Sequence, residues 1–151
     1  KKTSDFGLRS YEISNFCCPK EECIHNLVYW NGGDWLGIGP GAHGRISLKN
    51  NSRLVTQNRR SPTSWLNSVQ KHKNGLETKK VENSYEISVE NLIMGLRQKN
   101  GVVFNKIKSV TNYNSLEILL NSKMLEFKGK KLKATYNGKK VLDSILLKLI
   151  D

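Results

Sequence analysis

His25-Asn26-Leu27-Val28-Tyr29-Trp30, followed closely by Gly37-Ile38-Gly39-Pro40-Gly41-Ala42-His43-Gly44, is the stretch on which the reading of this chain turns. These two runs hold two of the chain's three histidines, two large aromatics and four glycines. Such a density of ligand-type, stacking and close-approach residues exceeds what core packing asks for. Asn26 to Trp30 reads as a helical turn, stopped by Asn31-Gly32-Gly33-Asp34. Trp35 to Ile38 is a short apolar run flanked by glycine, read as a buried strand entering a turn at Gly39-Pro40-Gly41.

Upstream, Tyr11 to Phe16 alternates apolar and polar residues and predicts a short strand that breaks at Pro19, with loop over 18–25. Downstream, Arg45 to Leu48 and Arg53 to Gln57 predict a hairpin about Lys49 to Ser52. Ser61-Pro62-Thr63 opens a helix with Trp65, Leu66 and Val69 as its stripe and Gly75 as its cap. The charged stretch 76–84 reads as a linker. Tyr85 to Lys99 repeats Val89, Leu92, Ile93 and Leu96 at helical spacing, and Gly101 ends it. A short helix is predicted over Asn105 to Val110, then one capped by Ser115 that buries Leu116, Leu119 and Leu120. Residues 124–135 alternate as two strands about Lys128-Gly129-Lys130. A last helix from Asn137 carries Val141, Leu142, Ile145, Leu146 and Leu149 on one face. Helices followed by a basic hairpin and a final helix describe a small winged-helix-like module over 85–151.

A length of 151 residues fits one domain, or one small domain plus a piece of another. No apolar run reaches the roughly 20 residues that span a bilayer, and the start does not resemble a signal peptide, so the expected location is the cytoplasm. The chain opens Lys-Lys without an initiator Met, as a fragment or trimmed product would. Its net charge of +12 invites a nucleic-acid or anionic-surface reading. Basic residues are dispersed, however, with local density only at Arg59-Arg60, Lys79-Lys80 and Lys128 to Lys133, so solvated surface charge is the better account. Cys17, Cys18 and Cys23 are odd in number and lack zinc-knuckle or iron–sulfur spacing, and read as reduced thiols.

The blocks Tyr11 to Phe16, His25 to Trp30, Asp34 to Arg45 and Met94-Gly95-Leu96-Arg97 resemble the carboxy-terminal part of the radical-SAM proteins related to oxygen-independent coproporphyrinogen III oxidase, in particular the HemW haem-chaperone branch. Leu132 to Gly138 and Val141-Leu142-Asp143 resemble that family's carboxy-terminal domain. The resemblance implies an α/β fold (α+β within this stretch): the end of a partial radical-SAM parallel barrel, then a small helical, winged-helix-like carboxy-terminal domain. It divides the chain into a last barrel strand and haem-motif region at 1–60, a helix and linker at 61–84, and the carboxy-terminal domain at 85–151. The full-length family binds S-adenosylmethionine and a [4Fe–4S] cluster through a Cys-x-x-x-Cys-x-x-Cys loop. Nothing in this chain matches that loop, so the chain alone is expected to lack radical chemistry. The barrel half is then absent or separately encoded, and an unpaired barrel edge is an aggregation liability.

The resemblance assigns His25-Asn-x-x-Tyr-Trp30 to haem binding, with His25 on the iron and Asn26, Tyr29 and Trp30 around it. An imidazole is a good axial ligand for haem iron, and aromatics stack against a macrocycle. On residue types alone, His25 is more often a structural or surface histidine. Gly39, Gly41, Ala42 and His43 are implied to form a wall of the cofactor pocket. His43 is equally open as a second ligand, a pocket hydrogen bonder or a buried, satisfied histidine. A tight turn accounts for the same glycines, and their spacing is not a dinucleotide fingerprint. His72 reads as solvent-exposed, Met94 and Met124 as core, and Arg97 as a structural residue pairing with a carboxylate across a domain interface.

Three functions follow in order. The first is a haem-binding part of a haem chaperone that passes haem to haemoproteins. The second is a fragment of an oxygen-independent coproporphyrinogen III oxidase. The third is a basic winged-helix nucleic-acid binder, which needs a basic recognition helix where 115–122 offers only Lys123 at its end. The expected partners are haem, haem-accepting proteins and a separately encoded radical-SAM half, with peripheral membrane contact open and nucleic acid disfavoured.

Overall fold

The computed structural model describes residues 3–150. In chain order the elements are β1 (Arg9–Ser10), β2 (Phe16–Cys17), α1 (Ile24–Trp30), β3 (His43–Ser47), β4 (Arg53–Asn58), α2 (Pro62–His72) and β5 (Leu76–Glu82). They continue with α3 (Ser84–Arg97), β6 (Val102–Val103), α4 (Tyr113–Asn121), β7 (Leu125–Lys128), β8 (Lys131–Ala134), α5 (Tyr136–Lys140) and α6 (Leu142–Leu149). The architecture is mixed helix and sheet. The chain divides into two compact units, residues 33–87 and residues 1–32 with 88–151. Among the described residues no helix is long and apolar enough to cross a membrane.

In the larger unit, helices pack on a three-stranded antiparallel sheet of order β6-β8-β7. The core is aliphatic: Leu92 and Leu96 of α3, Leu116 and Leu119 of α4, Leu125 and Leu132 of the hairpin, and Leu142, Ile145 and Leu149 of α6 are buried. On α3, Ser88, Leu92, Gly95 and Leu96 face inward at helical spacing, with Val89 and Ile93 on the margin. The β7–β8 hairpin forms about Gly129 and Lys130 as predicted, with Phe127 opposite Leu132. Met124 packs against the core and His72, in the other unit, is exposed, both as expected.

Several expectations change. The stretch 105–110 makes two 3₁₀ turns, Phe104–Lys106 and Lys108–Val110, in place of one α-helix. The cap of α4 is Asn112, whose side chain accepts from the Ser115 N–H at 2.9 Å. The last helix is two helices: α5 is capped by Thr135 and closes at Val141, whose φ of −126° and ψ of 28° leave the helical region. Val141 is consequently exposed, off the apolar face assigned to it. Tyr11 to Phe16 is not a strand. Its inner residues bend between β1 and β2, because the Glu12 side chain turns inward and is 1% exposed.

In the smaller unit, β3, β4 and β5 form an antiparallel sheet in that order. The β3–β4 hairpin is the predicted one, beginning two residues earlier at His43. The stretch 76–82, expected as linker, is the strand β5, paired along β4 from Arg53↔Glu82 to Asn58↔Leu76. The buried Arg53 guanidinium donates to the Glu82 carboxylate across that pairing at 2.8 Å. Helix α2 starts at Ser61-Pro62 as read. Its cap is Lys73 in the left-handed region at φ 60°, while Gly75 makes room for the Trp65 indole. Asn83 and Glu86 close a reciprocal capping box at the start of α3, each backbone N–H donating to the other's side chain at 3.0 Å.

Candidate functional site

Helix α1 carries His25, Asn26, Tyr29 and Trp30, and the i, i+4 spacing sets His25 beside Tyr29. The Tyr29 hydroxyl lies 2.6 Å from His25 Nε2, and the two rings meet edge to face with centroids 4.3 Å apart. His25 and its neighbour Ile24 are exposed. Trp30 packs at a tilt against Tyr11, with centroids 5.6 Å apart, and Asn26 Nδ2 lies 3.5 Å from the Tyr11 hydroxyl. The group is thus an outward-facing imidazole held by one phenol, with a second aromatic pair behind it.

Long-range contacts anchor this short helix. Its last carbonyls are satisfied from outside, Trp30 O by Gln98 Nε2 at 2.8 Å and Asn31 O by Lys106 Nζ at 3.2 Å. The Lys106 ammonium also complements the negative end of the helix dipole. Tyr11 is fixed through the bend that follows it. Glu12 accepts from the Ser14 N–H at 2.8 Å, Ser14 Oγ at 3.0 Å, Asn15 Nδ2 at 2.8 Å and Arg97 Nε at 2.7 Å. Burial raises the Glu12 carboxyl, but the Ser14 and Asn15 hydrogen bonds and the Arg97 charge outweigh it, and the group sits below its ordinary value. Arg97 therefore finds its carboxylate, Glu12, within the larger unit and not across a domain interface. Tyr11, Glu12 and Gln98 are the supporting residues that sequence reading missed. A glutamate in an alternating run gives no sign that it is buried.

The glycine segment lies in the other compact unit. Trp35 is not part of a buried strand: it makes a single bridge to Arg45, while Leu36 is 71% and Ile38 84% exposed. Trp35 Nε1 donates to His43 O at 3.0 Å. A Cβ on Gly37 would stand 2.6 Å from the His43 carbonyl carbon, so only glycine permits this approach. Gly39 and Gly41 have φ of 95° and 70°, which makes the Gly39-Pro40-Gly41 turn. Buried Asn58 latches it, donating from Nδ2 to Gly37 O at 3.1 Å and Gly39 O at 2.8 Å. The Asn58 N–H donates to Ala42 O at 2.9 Å. His43 is exposed at the start of β3, so the reading of a buried, satisfied histidine does not hold. Asn58 was not foreseen, because a lone asparagine at a strand end looks like any turn residue.

The thiols do not assemble a cluster site. Among the described residues no group of three or more His, Cys, Asp or Glu side chains is placed to hold a metal ion. Cys17 is half-buried in β2, and burial followed by the Glu22 carboxylate pushes its thiol up. These cysteines do not fit a [4Fe–4S] group.

No protein-family model matches the chain. It is 31% identical over 163 residues to the mitochondrial radical S-adenosyl methionine domain-containing protein 1 of Bos taurus, covering 95% of this chain and 36% of that protein. It is 28% identical over 163 residues to the heme chaperone HemW of Mycobacterium tuberculosis, covering 99% of this chain and 37% of that protein. In structure it resembles coproporphyrinogen III oxidase (HemN) from Escherichia coli, a radical SAM enzyme, with a TM-score of 0.68 at 14% identity, over 97% of this chain and 38% of the other. The chain is thus related over nearly its whole length to HemW proteins and to the radical S-adenosyl methionine domain-containing 1 proteins, and it spans little more than a third of the length of the relatives it matches.

Proposed function

We propose that this chain is the haem-holding part of a HemW-like chaperone, taking haem through His25 and passing it to haem-accepting proteins. The observation that carries the reading is the exposed His25–Tyr29 pair on α1, in a chain related over nearly its whole length to proteins named as haem chaperones. A neutral imidazole is an axial ligand for haem iron, and the Tyr11–Trp30 pair offers ring surface beside it. Tyr29 is the positioning residue. Its hydroxyl holds Nε2 and thereby the ring's rotamer, and it must release that atom if Nε2 is the ligating one. Asn26 contributes through Tyr11. Gly39, Gly41, Ala42 and His43 are assigned to a separate cofactor-facing loop.

The finer architecture belongs to the same proposal. The β6-β8-β7 sheet with α4 and α6 is the winged-helix-like domain, and the chain completes a partial barrel supplied by a radical-SAM half. S-adenosylmethionine and the [4Fe–4S] cluster belong to that half, and this chain by itself performs no radical step. Its location is the cytoplasm. A second reading, a fragment of an oxygen-independent coproporphyrinogen III oxidase, draws on the likeness to HemN.

The test is a haemin titration of the purified chain, followed by absorbance beside His25→Ala. The expected result is a shifted Soret band that the variant loses. Haem binding by His25→Ala with unchanged spectrum and affinity would overturn the ligand assignment.

A further inference from the structure

A second concave surface lies wholly within the larger unit and is lined by none of the residues assigned to haem. It is a groove of about 670 Å³ between the β1–β2 bend and the start of α5, within the size range of small-molecule sites. Ile13, Phe16 and Tyr136 give it apolar surface, and Lys99, Lys133 and Lys139 give it charge. Phe16 is 45% and Tyr136 79% exposed, so both rings are open to a ligand. Lys140 adds a fourth ammonium, 4.4 Å from the centroid of the Tyr136 ring. The only carboxylate among the lining residues is Glu126, and it is paired with Lys133 at 2.8 Å.

We propose that this groove binds an amphipathic organic carboxylate, its apolar body against Ile13, Phe16 and Tyr136 and its carboxylate against Lys99 and Lys139. The charge balance selects the anion: with Lys133 paired to Glu126, the ammonium groups of Lys99, Lys139 and Lys140 meet no other carboxylate among the lining residues. The apolar lining selects the body, since a bare inorganic anion would leave Phe16 and Tyr136 unused. Lysines suit this role as compact point charges that do not demand bidentate geometry. Partial burial pushes the Lys139 ammonium down from its ordinary value, opposed by Glu12 and reinforced by Lys133 and Lys99. A bound carboxylate would relieve that strain between like charges.

Two sources share this chemistry, a flat macrocyclic dicarboxylate and a straight-chain carboxylate. The experiment is an equilibrium titration of the whole chain with metal-free protoporphyrin IX, with dodecanoate, and with inorganic phosphate. Removing the iron separates this site from His25, so that either proposal can fail alone. The expected result is saturable binding of at least one organic carboxylate, unchanged in His25→Ala. Lys139→Met should weaken it about tenfold or more, the size expected for a charge-assisted hydrogen bond. Tyr136→Ala, at an exposed position that leaves folding intact, should weaken it as well. Which ligand binds identifies the source. No saturable binding of either, binding indifferent to both groove variants, or phosphate binding as tightly as the organic anions would overturn the assignment.

Discussion

Replacing Glu12 by alanine removes the acceptor on which four donors converge, from Ser14, Asn15 and Arg97. A fully buried ion pair severed on one side costs about 3–5 kcal/mol. Here the Arg97 side chain is 36% exposed and Ser14 is exposed, so both regain water when the carboxylate is gone. The cost should therefore fall to about 2–3 kcal/mol, the scale of a hydrogen bond to a charged group. Glu12→Gln keeps the shape and loses the charge, and should cost about half as much. Because the folded carboxyl lies below its ordinary value, its stabilisation is complete at neutral pH, where the unfolded carboxyl is also ionised. It is lost as pH falls through the lowered folded value. Urea denaturation followed by circular dichroism measures the loss. Hydrogen exchange at the Lys99 amide, bonded to Tyr11 O at 3.0 Å, reports it locally. A Glu12→Ala stability within about 0.5 kcal/mol of the parent, the level of an ordinary surface change, would refute the reasoning. So would a gap between parent and Glu12→Gln that stays constant as the pH is taken down to about 3.

Three further outcomes are expected. Tyr29→Phe frees His25 Nε2 from its phenol, so haem affinity in the titration above should rise several-fold, one neutral hydrogen bond being worth about 1 kcal/mol; weaker binding would mean the hydroxyl contacts the ligand. Asn58→Ala deletes both side-chain bonds to the Gly37–Gly39 turn, should cost about 1–3 kcal/mol, and should speed amide exchange at Gly41 and Ala42 while leaving Leu132 unchanged. Leu132→Ala, at a fully buried position between β6 and β7, should cost about 2–5 kcal/mol by denaturant midpoint; a loss near zero would mean that the β6-β8-β7 sheet is not packed as described.

The elements that were legible in the sequence are those whose signal is local. Helix α3 shows its 3.6-residue period in Leu92 and Leu96, β7 and β8 alternate about Gly129-Lys130, and α2 announces itself with Ser61-Pro62. His25 and Tyr29 stand four residues apart, so their meeting on one face of α1 follows from helix geometry alone. Strand β5 is different. Leu76 to Glu82 is mostly charged and exposed, and it is a strand because β4, whose residues pair with it across 18 to 29 positions of chain, offers an unpaired edge. Two-residue β6 likewise exists only because β8 receives it.

The same division runs through the candidate sites. Sequence by itself singled out the residues proposed to carry chemistry, the His25 to Trp30 helix and the glycine turn before His43, and the family that both resemble. Tertiary structure alone decided what holds them. Glu12 is buried because Arg97, 85 residues away, meets it, and Gln98 and Lys106 close a helix that ends at Trp30. It also gathered Ile13, Phe16, Lys99, Lys139 and Tyr136 into one groove. Backbone propensity and periodicity act over a turn or two of chain, whereas burial, charge pairing and concavity depend on which distant segments the fold brings into contact.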